Sequence, residues 1–175
     1  MSLLRGLNSA NPQRMLHMFV NLIAATCAAV MFMASFPSRV CAQEDGKKIF
    51  GQRLVDDTVA KHRPQLIYLG LHAVTPRSKN SVIFASTDQG KLGKKSSCAD
   101  LHVVEKGIPV MEMKGKSTTV LERLLDSSGH TVGLIVVGLD FTEGQESQAA
   151  KLGKEIGEEL ARQIPSKSKL FESGV

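Results

Sequence analysis

The chain contains no tryptophan and one tyrosine, and aromatic residues make up only 5% of it. Nucleic-acid binders combine a basic stripe with aromatic stacking platforms. The aromatic poverty therefore argues against nucleic acid, despite a net charge of +5. Cysteine is scarce too: Cys27, Cys41 and Cys98 are too few for a disulfide framework. Beyond the first 42 residues the histidines are His62, His72, His102 and His130. They form no H-E-x-x-H and no close Cys/His cluster, so no metal site is expected. No G-x-S-x-G occurs and no Ser/His/Asp set assembles. The adjacent carboxylates Asp56-Asp57 and Glu158-Glu159 are neighbours on helices. They diverge, whereas acid/base work on a glycosidic bond needs carboxyls facing each other. Each pair reads as a solvated face. No catalytic activity and no cofactor are expected.

What is present begins with a leader. Arg5 and Arg14 precede "MFVNLIAATCAAVMFMASF", an apolar run from Met18 to Phe36. Pro37 breaks the run, and "VCA" at 40–42 offers small residues before Gln43. These are the parts of a secretory signal peptide, expected over residues 1–42. The length of the leader makes Met15 an alternative start. The run is alanine-rich and interrupted by Asn21 and Thr26, which favours removal over a permanent span. An uncleaved anchor is the alternative, and membrane association is expected only if the segment is retained. Val40 before Cys41 and Thr26 before Cys27 are poor neighbours for a lipid anchor. Cleavage takes Lys+Arg from 22 to 19 and leaves Asp+Glu at 17, so the net charge drops from +5 to +2. The basic character thus belongs partly to the leader. Only Cys98 survives, and the expected localisation is periplasmic or secreted.

The rest reads as one domain over residues 43–165, with a loose tail at 166–175. "KKIFGQRLVDDTVAKHR" predicts a helix through Phe50, Leu54, Val55 and Val59, stopped by Pro64. "LIYLGLHAV" and "SVIFAST" predict a hairpin-like strand pair across "TPRSKN". "SCADLHVVEKG" predicts a short helix with Ser97 as N-cap, Asp100 in its first turn and Gly107 as its stop. Three strands follow: "PVMEM", "STTVLERLL" and "HTVGLIVVGLDF". In the last, Val132, Leu134 and Val136 are expected on one face. Ile135, Val137, Leu139 and Phe141 are expected on the other, as in a central strand covered on both sides. "TEGQ" at 142–145 fits a capping box with Thr142 as N-cap. The closing helix carries a ridge of Leu152, Ile156, Leu160 and Ile164, beside a row of Ala149, Gly153, Gly157 and Ala161. The predicted class is α+β: a five-stranded, mostly antiparallel sheet with flanking N- and C-terminal helices on one face. A crossing segment is expected on the other face.

That crossing segment, "STDQGKLGKKSSCADL" at 86–101, fails as a phosphate loop. A P-loop needs Ser or Thr after Gly-Lys, but Gly93-Lys94 is followed by Lys95, and Asp88 would repel phosphate. Its lysines read as solvated.

The order of elements resembles the PAS-like extracellular sensor domains called Cache domains. The resemblance rests on Gly90, Leu92-Gly93, Ser96 or Ser97, Asp100 and Gly107 after the second strand, and on the closing hairpin "LLDSSGHTVGLIVVGL". It spans about residues 47–164. It implies a small ligand held between sheet and crossing segment, with binding felt by the flanking helices. The aromatic-rich pocket of the amino-acid-binding subset is missing, so the ligand class does not carry over. The expected function is an exported, sensor-like small-molecule-binding module. The alternative is an accessory subunit using the same fold to bind a protein partner.

The expected pocket residues are Tyr68, His72, Phe84, Ser86, Met111, Met113 and Arg123. Tyr68 alternates with His72, and Phe84 with Ser86. Met111 and Met113 share a strand face and suit an adaptable pocket. Arg123, among apolar residues in "VLERLL", needs an anionic partner if covered. That partner is either a ligand carboxylate or an internal one such as Asp140. Cys98 is open to haem binding, an intermolecular disulfide, reaction, or a plain free thiol. The small-residue row requires close packing, because each interior helical glycine costs about 1 kcal/mol. The row packs either within the chain, against Phe50 and Leu54, or in a homodimer through the terminal helices.

Overall fold

The apolar positions at helical spacing after Lys48 do form a helix, α1, over Phe50–His62, with Leu54, Val55 and Val59 buried. A computed structural model describes residues 48–173; the predicted signal segment lies outside them. Strands β1 (Leu66–Val74) and β2 (Ser81–Ser86) follow, then a 3-10 turn at Gln89–Lys91. The short helix is α2, Cys98–Lys106. Strands β3 (Val110–Lys114), β4 (Ser117–Leu125) and β5 (Thr131–Leu139) come next. Helix α3 spans Glu146–Gln163, and a second 3-10 turn spans Ser168–Phe171. The strands form one sheet in the order β2-β1-β5-β4-β3, with every neighbouring pair antiparallel. The fold is α+β.

β5 is central, and its two faces feed two cores. Ile135, Val137 and Leu139 meet Leu54 and Val55 of α1 and Ile156 and Leu160 of α3. Leu134 joins Leu121 and Val103 of α2 on the opposite face. Val132 departs from the expected alternation. The β4–β5 register slips between Leu124 and Leu125, and Val132 belongs to the helix-side core. An extra residue in one strand reverses the faces beyond it.

The caps of α2 form as the sequence predicts. Ser97 and Asp100 make a reciprocal capping box, and Gly107 closes the helix at φ +71, a left-handed conformation that suits glycine. The predicted cap of α3 does not form as such. Gln145 does reach back to the Thr142 N–H at 2.9 Å, but Gly144 at φ +87 interrupts the chain. The Thr142 hydroxyl donates to the same Gln145 oxygen at 3.1 Å and the Gln145 N–H to the Thr142 carbonyl, which closes a separate turn, and the helix begins at Glu146.

The tail is docked rather than loose. Leu170 is fully buried, Phe171 meets Phe84 edge-on at 5.0 Å, and Ser173 bridges to Ile49. Glu159 is also not a solvated carboxylate. It accepts hydrogen bonds from Lys61 at 2.7 Å and His62 at 3.0 Å, tying α3 to α1. Burial alone would raise its pKa, but these two partners lower it.

The small-residue row packs against β4, not against Phe50 and Leu54. A Cβ added at Gly153 would lie 3.0 Å from Val120 Cγ1, and one at Gly157 would lie 3.1 Å from Glu122 Oε2. Gly153→Leu is therefore expected to lower the thermal midpoint with no change of mass in light scattering. The loss should be about 2 kcal/mol, typical of overpacking.

Candidate functional site

Alternation along β1 places Tyr68, Gly70 and His72 on the face opposite α1 and α3. Ser86 pairs with Gly70 and joins them. The crossing segment runs along the outer side of β2. Gly93 N–H donates to the Ile83 carbonyl at 2.8 Å, Ile83 N–H to Lys94 at 2.9 Å, and Ser96 N–H to Ser81 at 2.9 Å. These bonds occupy β2's outer edge and carry Lys91, Ser96 and Asp100 over β1.

His72 is buried. Its Nδ1 lies 3.1 Å from Ser96 Oγ and 3.5 Å from Asp100 Oδ2. Ser96 Oγ is 2.8 Å from Ser81 Oγ. A proton on Nδ1 suits both neighbours and leaves Nε2 as an acceptor. Asp100 also accepts from Ser97 N–H at 2.7 Å, so one carboxylate caps α2 and orients the imidazole. This is not a nucleophile–base–acid relay. Such a relay places its hydroxyl and carboxylate on opposite ring nitrogens, and here both approach Nδ1.

Burial lowers the pKa of His72, Asp100 opposes this, and Lys91 adds to it. Because the folded value is depressed, the contribution to stability is full above the ordinary imidazole value. It is lost as pH falls through the folded value. The urea midpoint should drop on acidification through that window, and less so in His72→Gln. An equal acid slope in the variant would assign the effect elsewhere.

The Tyr68 ring lies over glycine. A Cβ at Gly70 would sit 2.6 Å from Tyr68 Oη, and one at Gly138 would sit 2.8 Å from Tyr68 Cβ. Ser86 Oγ donates to Tyr68 Oη at 3.4 Å. Lys91 Nζ stands 4.0 Å above the ring centroid. Burial raises the phenol's pKa; the Ser86 bond lowers it, and the Asp88 and Asp100 charges raise it further. Ser86 is in turn clasped by Gln52 of α1. The Gln52 amide donates to the Ser86 carbonyl at 3.1 Å and accepts from its N–H at 3.0 Å. The site thus has a buried polar link to α1.

Of the predicted pocket residues, Tyr68, His72 and Ser86 come together. Phe84 does not. A bulge opposite Leu71 and His72 turns it to the helix face, among the core residues around α1. Met111 and Met113 pair with Val120 and Thr118, which puts them on the helix face at the far edge of the sheet. Arg123 shares the Tyr68 face but serves α2: its Nε donates to the Val104 carbonyl and its Nη2 to that of Glu105, both at 3.0 Å. Its partner is the negative end of a helix, not a carboxylate. Asp140 is exposed, and its backbone N–H bonds Gln65. Arg123→Ala should cost about 1–2 kcal/mol and speed amide exchange at the end of α2. Protection left intact there would show that the carbonyls find other donors.

Lys91, Ser96, Ser81 and Asp100 were missed as site residues. Lys91 reads as a solvated loop lysine and Asp100 as a helix cap, and only the path of the crossing segment adds the second role. Cys98 is an exposed free thiol at the start of α2. Among the described residues no His/Cys/Asp/Glu group is arranged to hold a metal. No helix among them is long and apolar enough to cross a membrane. Comparison with family models, curated proteins and solved structures gives no match.

Proposed function

We propose that the chain is an exported, Cache-type sensor module that binds a small molecule between β1–β2 and the crossing segment, without catalysing a reaction. One observation carries this reading. A polar row on β1 and β2, Tyr68, His72 and Ser86, lies beneath a covering segment that supplies Ser96 and Asp100. Burying polar groups costs free energy unless they are satisfied, and an apolar row would serve packing better. The output runs through Ser86. A ligand that moves Tyr68 disturbs Ser86, and Gln52 passes the change to α1.

Tyr68 is the sole tyrosine and the chain has no tryptophan, so intrinsic fluorescence reports on this site alone. Organic acids, amino acids, purines and haem should be screened by that signal together with thermal shift. A ligand at 100 times its Kd stabilises by about 2.7 kcal/mol. A panel in which nothing moves either signal, with no co-purifying ligand, overturns the reading.

A second reading, an accessory subunit for a protein partner, is favoured by the other end of the sheet. β3 is an edge strand, and Ile108 and Met111 beside its free side are exposed. Edge strands of this kind accept partner strands.

A further inference from the structure

We propose that the exposed face of the Tyr68 ring is a site for a small organic cation, which Lys91 occupies as a tethered stand-in. This rests on the binding reading above and names the ligand class. The Lys91 ammonium, 4.0 Å from the ring centroid, is well inside the range at which an aromatic quadrupole attracts a cation. Among the described residues Lys91 makes no ion pair with a carboxylate, so the ring is its principal partner. Lys91 ends a three-residue 3-10 turn and is only half-buried. Its side chain can swing to solvent without breaking the backbone bonds that hold Gly93, Lys94 and Ser96 to β2.

Charge selects the replacement. Asp88 and Asp100 lie close enough to Tyr68 for their fields to act on it. With Lys91 withdrawn, the ring face is left beside two carboxylates. An ammonium restores the balance; a carboxylate or phosphate adds like charge where the compensating cation has just left. The ring lies over Gly70, which has no side chain to lift it from the sheet, and Lys91 stands over the ring.

The test uses tetramethylammonium and 1,4-diaminobutane as probes, with acetate and tert-butanol as anionic and neutral controls. Binding to the wild type and to Lys91→Met is followed by Tyr68 fluorescence and calorimetry, and Tyr68→Leu by calorimetry. Removing the tethered competitor should tighten amine binding by about three- to fivefold; Tyr68→Leu should lose it, and the controls should leave the signal unchanged. Amine affinity that is equal in wild type and Lys91→Met overturns the cation site. So does an absence of amine binding while another small molecule binds at Tyr68, and in that case the binding function stands. If no probe and no panel compound perturbs Tyr68, both proposals fall together.

Discussion

Gly133→Ala is expected to lower the urea midpoint sharply, with a loss of about 3 kcal/mol, the upper range for overpacking. Gly133 lies in β5, the central strand, opposite Leu124 of β4. A Cβ there would run into the backbone carbonyl oxygen of His72, and would lie 3.2 Å from Ala73 Cβ. That carbonyl belongs to β1, which is held between β2 and β5 and has no free direction to move. Two effects compete. Alanine restricts the unfolded chain more than glycine does, which favours the substitution by about 0.5–1 kcal/mol. The steric conflict is with backbone rather than with the end of a flexible side chain, so it dominates. The m-value should stay unchanged if only native packing is affected. Because the displaced carbonyl is His72's own, the variant should also change Tyr68 fluorescence. A midpoint equal to the wild type would mean that β1 and β5 separate more easily than this geometry allows.

Leu170→Ala should cost about 3 kcal/mol, within the range for emptying a fully buried leucine site. Leu170 is wholly inaccessible and belongs to the core shared by α1, α3 and the sheet. Its neighbour Phe171 holds Phe84 edge-on at 5.0 Å, worth about a further 1 kcal/mol. Phe50 N–H donates to the Glu172 carbonyl at 2.8 Å, so the last turn also anchors the start of α1. Ending the chain after Pro165 removes all three contacts and should lose more than the point substitution. Chemical denaturation of both variants checks this. A truncation with wild-type stability would restore the reading of these residues as loose.

The tail shows why local pattern has limits. "SKSKLFESGV" has no repeating apolar period, and periodicity is the main signal by which a sequence reveals an element. Two apolar residues, Leu170 and Phe171, suffice to dock it because they pack into the core built by α1, α3 and the sheet. That docking surface is a property of the assembled core. Phe84 makes the same point within a strand. Alternation put it beside Ser86, and that inference holds only while the register is unbroken. The bulge inserts one residue in β2 opposite Leu71 and His72, and Phe84 turns inward to meet the tail. In the site, Tyr68, His72 and Ser86 were readable because alternation on β1 and the pairing of Gly70 with Ser86 are unbroken there. Their partners were not, because Ser96 and Asp100 reach His72 across sequence separations of 24 and 28 residues.

The order and type of the elements were determined by the sequence alone, since they depend on nearest neighbours. Apolar spacing set the helices, Ser97, Asp100 and Gly107 capped α2, and the doubly apolar run at 132–139 marked β5 as central. Only the tertiary structure decided the register slips along the sheet, the docking of Leu170, the capping role of Arg123 and the seating of Lys91 on Tyr68. Each of these is chosen by what lies across a gap between elements. A long-range contact of that kind depends on how strands pair and layers close, which no local window of residues encodes.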